Sequence, residues 1–120
     1  MVKIIILVLI SFSSYAQVCE DPTMLSKTAG EKVKVCYDDK LETFITPPCL
    51  GACGAKKFLD STVDLTTKEL KGGKDAHSVS CTKLKGKLFL YRDEKGNEYA
   101  MCEASDGSAI GASALKYKVD

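Results

Sequence analysis

A chain of 120 residues, 45% hydrophobic and without tryptophan, is sized for a single domain rather than two. Its 17 basic and 16 acidic side chains are interspersed and leave a formal net charge of +1, so nothing in the balance draws it to nucleic acid or an anionic lipid surface. Its most informative residues are six cysteines, Cys19, Cys36, Cys49, Cys53, Cys81 and Cys102, whose pairing the sequence alone leaves open.

The N-terminus reads as a removable export signal. Lys3 precedes an aliphatic run over 4–10, and the small residues Ser14 and Ala16 follow, so cleavage after Ala16 is expected. As a helix that run would rise only about 10 Å against about 30 Å of bilayer hydrocarbon, too short to span it. Gln17 and Val18 separate the cleavage site from Cys19, which disfavours a lipid anchor. The expected organisation is a signal peptide at 1–16 and one exported domain at 17–120, whose net charge is near zero once Lys3 is lost. Export to the periplasm or the extracellular space would oxidise the cysteines. Phe12 and Tyr15 fall in the leader, so the remaining core is thin in large side chains. Three disulfides at about 2–4 kcal/mol each would contribute roughly 6–12, comparable with the whole net stability of a small domain, about 5–15 kcal/mol.

Asp21 followed by Pro22 is a helix-start signal and Gly30 a stop, predicting a short N-terminal helix over 22–29 with Met24 and Leu25 against the body. From Lys32 the period becomes two. Val33, Val35 and Tyr37 alternate with Lys32, Lys34 and Cys36; after the polar break Asp38-Asp39-Lys40, Leu41, Thr43 and Ile45 alternate with Glu42, Phe44 and Thr46. A β-hairpin is the simplest assignment, ended by Pro47 and Pro48, which donate no amide to a ladder.

Cys49-Leu50-Gly51-Ala52-Cys53 predicts a tight irregular loop, with one helical turn continuing over 56–59. Its two thiols have the wrong spacing for a thioredoxin-like site or a zinc ribbon, and Gly54 stands where haem attachment needs a histidine. A structural disulfide is the leading reading of these two cysteines. Val63 and Leu65 suggest a brief extended piece, Thr66 with Glu69 has capping-box spacing, and Gly72-Gly73 ends whatever forms there. His77, the single histidine, reads as a surface or strand-edge residue, since no hydrolase signature accompanies it. Lys83, Lys85 and Lys87 occupy alternate positions, as on the solvated face of a strand. Residues 87–92 and 97–103 flank the turn Asp93-Glu94-Lys95-Gly96 and predict a second hairpin. Asp106-Gly107-Ser108 is a turn lacking the alternating acids of a calcium loop, and Leu115, Tyr117 and Val119 mark a terminal strand. A faint echo links 35–40 to 90–95.

The cysteine, glycine and turn pattern Cys81, Gly86, Gly96, Cys102, Asp106-Gly107-Ser108 and Leu115 resembles that of small exported bacterial domains of unknown function, sometimes labelled haemolysins. The resemblance covers 81–117; the later cysteine and tryptophan common in that family are replaced here by the small-residue stretch 110–114. It implies an exported compact β unit and a bond joining Cys81 to Cys102, leaving the other four cysteines to staple the N-terminal half. No amphipathic membrane-inserting segment accompanies it.

The expected fold is mainly β (small α+β), with antiparallel hairpins, a short N-terminal helix and disulfide staples. The expected function is a monomeric binding or structural module without catalysis, cofactor or metal, acting on an unknown protein partner with no nucleic acid and no stable membrane insertion. One alternative is a secreted inhibitor or effector presenting the 47–54 loop, with Pro47, Pro48 and Leu50 against a partner enzyme. A lesser one is a thiol-disulfide oxidoreductase using Cys49 and Cys53.

Overall fold

The computed structural model describes residues 19–28 and 30–120, and these residues are mainly β with one short α-helix. The expected signal peptide and its cleavage site lie outside the described residues. Strand β1 (Thr23–Lys27) turns back at Gly30, whose φ of 89° suits glycine, into β2 (Lys32–Asp38), which leads to β3 (Thr43–Ile45). Two 3₁₀ turns, Pro47–Leu50 and Ala55–Asp60, precede β4 (Val63–Leu65) and helix α1 (Ala76–Lys83). Strands β5 (Lys87–Arg92), β6 (Glu98–Glu103) and β7 (Ala109–Gly111) follow, then a 3₁₀ turn, Ala112–Ala114, and β8 (Tyr117–Val119).

Both expected hairpins form, and they belong to one closed barrel. Its strand order is β1-β2-β3-β7-β6-β5, every pair antiparallel. Ser26↔Arg92 and Lys27↔Tyr91 close the circle between β1 and β5, while Ile45↔Ile110 joins β3 to β7. Strands β4 and β8 form a separate parallel pair.

The period of two sends alternate side chains to two cores. Leu25, Val35, Tyr91, Met101 and Ala109 fill the barrel, with Val33, Phe44, Phe89 and Tyr99 packed against them. The buried Tyr91 hydroxyl donates to Glu103 Oε2 at 2.7 Å, the oxygen that also meets Lys27 Nζ at 2.9 Å. Burial and the neighbouring Glu103 carboxylate push the Tyr91 phenol well above its ordinary range. On the outer surface Cys36, Ile45, Ile110 and Cys102 form a row across four strands. Phe58, Cys49, Ala55, Cys81, Ala112 and Leu115, from the 3₁₀ turns, α1 and the C-terminal segment, cover that row.

Disulfides Cys19–Cys36, Cys49–Cys53 and Cys81–Cys102 bind this outer layer. Chain-entropy reasoning assigns about 2 kcal/mol to the short Cys49–Cys53 loop and about 3 to each of the others, whose cysteines stand 17 and 21 residues apart.

Two expectations are corrected. The segment expected as an N-terminal helix over 22–29 is β1, because pairing with both β2 and β5 satisfies its backbone, whereas so short a helix is marginal in water. The helix lies instead at 76–83, capped by Asp75, whose carboxylate accepts from the Ser78 amide at 2.9 Å. Lys83, Lys85 and Lys87 share no strand face: Lys83 ends α1, Lys85 turns the chain at a φ of 69°, and only Lys87 opens β5. The expected capping box does form, with Thr66 N donating to Glu69 Oε1 at 2.8 Å and Glu69 N to Thr66 Oγ1 at 3.2 Å, but it closes a turn rather than a helix.

Candidate functional site

The 47–54 loop stands on the outer layer, held at both ends. Thr46 is buried; its amide donates to the Ala109 carbonyl at 3.0 Å, and its hydroxyl oxygen accepts from the Ala109 amide at 3.0 Å. Pro47 and Pro48 then set the first 3₁₀ turn, since their fixed φ suits helical positions that need no donor. Cys49, the third residue of that turn, is fully buried in the outer core.

At the far end the Asp106-Gly107-Ser108 turn grips the chain. Asp106 Oδ2 accepts from Gly54 N at 2.7 Å, and Ser108 Oγ accepts from Ala55 N at 2.9 Å. The other carboxylate oxygen of Asp106 takes the Ser108 hydroxyl and amide. These donors, the Ser108 hydroxyl foremost, hold the Asp106 pKa down to about 2. A Cβ on Gly54 would sit 2.9 Å from Asp106 Oδ2, so a larger residue here would push the carboxylate off its grip. Between the anchors Leu50, Gly51 and Ala52 are exposed, Leu50 at 39%.

Of the partner-facing residues expected from the sequence, Pro48 and Leu50 are exposed and Pro47 is half-buried. Thr46, Asp106 and Ser108, which fix the loop, are not recognisable from the sequence as its anchors. The Asp-Gly-Ser turn signal pointed only to local structure, whereas the contacts it makes span 52 and 53 residues. His77 lies on α1, half-buried, with its ring edge-on to Tyr117 at 5.1 Å, and not on a strand edge.

A cavity of about 360 Å³ opens beside the loop, lined by Ala52, Cys53, Gly54, Lys57, Ser105 and Asp106. Cys53 is half-buried and its sulfur accepts from Lys56 N at 3.3 Å. Among the described residues, three or more metal-ligating side chains do not gather anywhere, and no helix is long and apolar enough to cross a membrane. Three disulfides favour an oxidising, extracytoplasmic environment. Comparison with protein-family models, curated proteins and solved structures finds no match to this chain.

Proposed function

We propose that the chain is an exported, disulfide-braced binding module without catalysis, working in the periplasm or outside the cell, that meets a protein partner through the 47–54 loop. One observation carries this reading: a small ring, covalently closed and anchored at both ends, exposes the apolar side chain of Leu50 between small neighbours. Holding a loop in one conformation before binding removes most of the ordering cost of association. Gly51 and Ala52 leave Leu50 as the projecting group, a shape suited to a concave cleft. The same convexity favours, as a second reading, an inhibitor or effector whose partner is an enzyme.

The test compares Leu50→Asp with Leu88→Asp, an exposed leucine on β5 outside the loop sequence. A partner that co-purifies with the wild-type chain from its native extracytoplasmic fraction should be lost with Leu50→Asp, by at least tenfold in affinity, and retained with Leu88→Asp. Equal retention by both variants would reject the loop as the contact surface.

A further inference from the structure

We propose that the Cys49–Cys53 bond is an exchange site, through which the ring captures a partner protein's cysteine thiol as a mixed disulfide on Cys53. This deepens, and rests on, the reading of the loop as a partner-facing surface. The two sulfurs have unlike surroundings. Cys49 is fully buried, whereas Cys53 is half-buried and lines the 360 Å³ cavity, so a nucleophile entering there meets Cys53.

The cavity suits an incoming thiolate. Lys57 contributes a cation to its wall and forms no ion pair among the described residues. Asp106 also lines it, and its carboxylate charge, which the Gly54 and Ser108 donors stabilise, opposes an anion and is offset by Lys57. The Lys56 amide at 3.3 Å draws charge from the Cys53 sulfur and favours attack on it.

In the exchange the partner's thiolate attacks Cys53 Sγ, a new sulfur–sulfur bond forms, and the Cys49–Cys53 bond breaks. The bonding pair leaves on Cys49 Sγ, which takes one proton from solvent, replacing the one the partner's thiol lost on ionising. The partner's sulfur is oxidised and Cys49 is reduced, with no further oxidant. Sites for the released sulfur already exist. The Thr46 hydroxyl lies 4.0 Å away as a donor, and the Ala109 carbonyl lies 3.9 Å away to accept the new S–H.

Opening this ring also disturbs the fold least, because its cysteines are 4 residues apart, against 17 and 21 for the other bonds. Free thiols are scarce in an oxidising compartment, so exchange would select reduced or newly exported cysteines.

The full oxidised chain is incubated with reduced glutathione at mildly alkaline pH, quenched in acid, alkylated and mapped by mass spectrometry. The expected product carries glutathione on Cys53 and an alkylated Cys49, formed at least tenfold faster than any adduct at Cys19, Cys36, Cys81 or Cys102. Glutathione on Cys49, or all three bonds opening at one rate, would overturn the proposal. Glutathione needs no recognition by Leu50, so a failed Leu50→Asp partner test with a positive adduct rejects the docking reading alone. A partner lost with Leu50→Asp and kept with Leu88→Asp, together with no adduct on Cys53, rejects the exchange alone.

Discussion

Lys85 sits where the end of a helix favours glycine. The Gly86 amide donates to the Cys81 carbonyl and the Lys85 amide to the Thr82 carbonyl, both at 2.9 Å, which closes α1 with the turn that places its middle residue at positive φ. Glycine stands one position later for a steric reason: a Cβ on Gly86 would come within 2.5 Å of Cys102 Sγ and 3.0 Å of Cys81 Sγ. The disulfide therefore claims the glycine, and the strained position is left to lysine. Left-handed backbone costs a side-chain-bearing residue about 1–2 kcal/mol, partly offset by the greater freedom glycine has when unfolded. Lys85→Gly should accordingly raise stability by about 1 kcal/mol, read as a higher urea midpoint with unchanged slope. A lower midpoint would mean that the lysine side chain makes contacts worth more than the strain.

Asp106 acts at the next scale, where a single turn between β6 and β7 holds the loop that follows β3. Its folded pKa of about 2 lies below the ordinary 3.8, so the contribution of the ionised clamp is complete above about pH 4 and is lost as pH falls through 2. The amide resonances of Gly54 and Ser108 should titrate together in that window, and Asp106→Asn should abolish the shared transition. A Gly54 midpoint near 4 would show that the carboxylate is not gripping the loop. The clamp also shows what sequence reading reaches. The hairpins β2–β3 and β5–β6 were readable because a period of two and a turn glycine such as Gly96, at a φ of 88°, are local signals. Strand β1 was not, since Asp21-Pro22 gives a local helix cue that pairing with two other strands overrides. Helix α1 lacks an apolar stripe and is fastened by Cys81, so its pattern carried little signal. In the candidate site Pro48, Leu50 and the two cysteines stood out as residue types, while the grip of Thr46, Asp106 and Ser108 depends on contacts 52–63 residues apart.

Across the whole molecule the chain runs one series of elements twice. A cysteine, a strand, a second strand bearing the partner cysteine, a third strand, a 3₁₀ turn and a further strand appear as Cys19, β1, β2 with Cys36, β3, Pro47–Leu50 and β4, with the additional 3₁₀ turn Ala55–Asp60 inserted before β4. They recur as Cys81, β5, β6 with Cys102, β7, Ala112–Ala114 and β8. Cys36 faces Ile45 in the first series as Cys102 faces Ile110 in the second, and the two isoleucines meet at the seam. The echo between 35–40 and 90–95 does not mark this repeat, because it aligns the end of β2 with the end of β5 rather than with β6. Each disulfide stays within one half, so the halves are joined covalently only by the segment that contains the exposed glycines Gly72 and Gly73. Separated, the first half would expose β1 and β3 as unpaired edges and the second β5 and β7, and the outer row of Cys36, Ile45, Ile110 and Cys102 would be cut in two. Neither half should fold alone, yet together they carry all the pairing the barrel needs. A protease site placed between Gly72 and Gly73 should give a nicked protein that stays a one-to-one complex on size exclusion and separates in denaturant without reductant. On dilution it should reassemble with a yield that rises with concentration. If either isolated half kept its native circular dichroism, the barrel would be two autonomous units in contact, and the dependence of each half on the other's strand edges would be disproved.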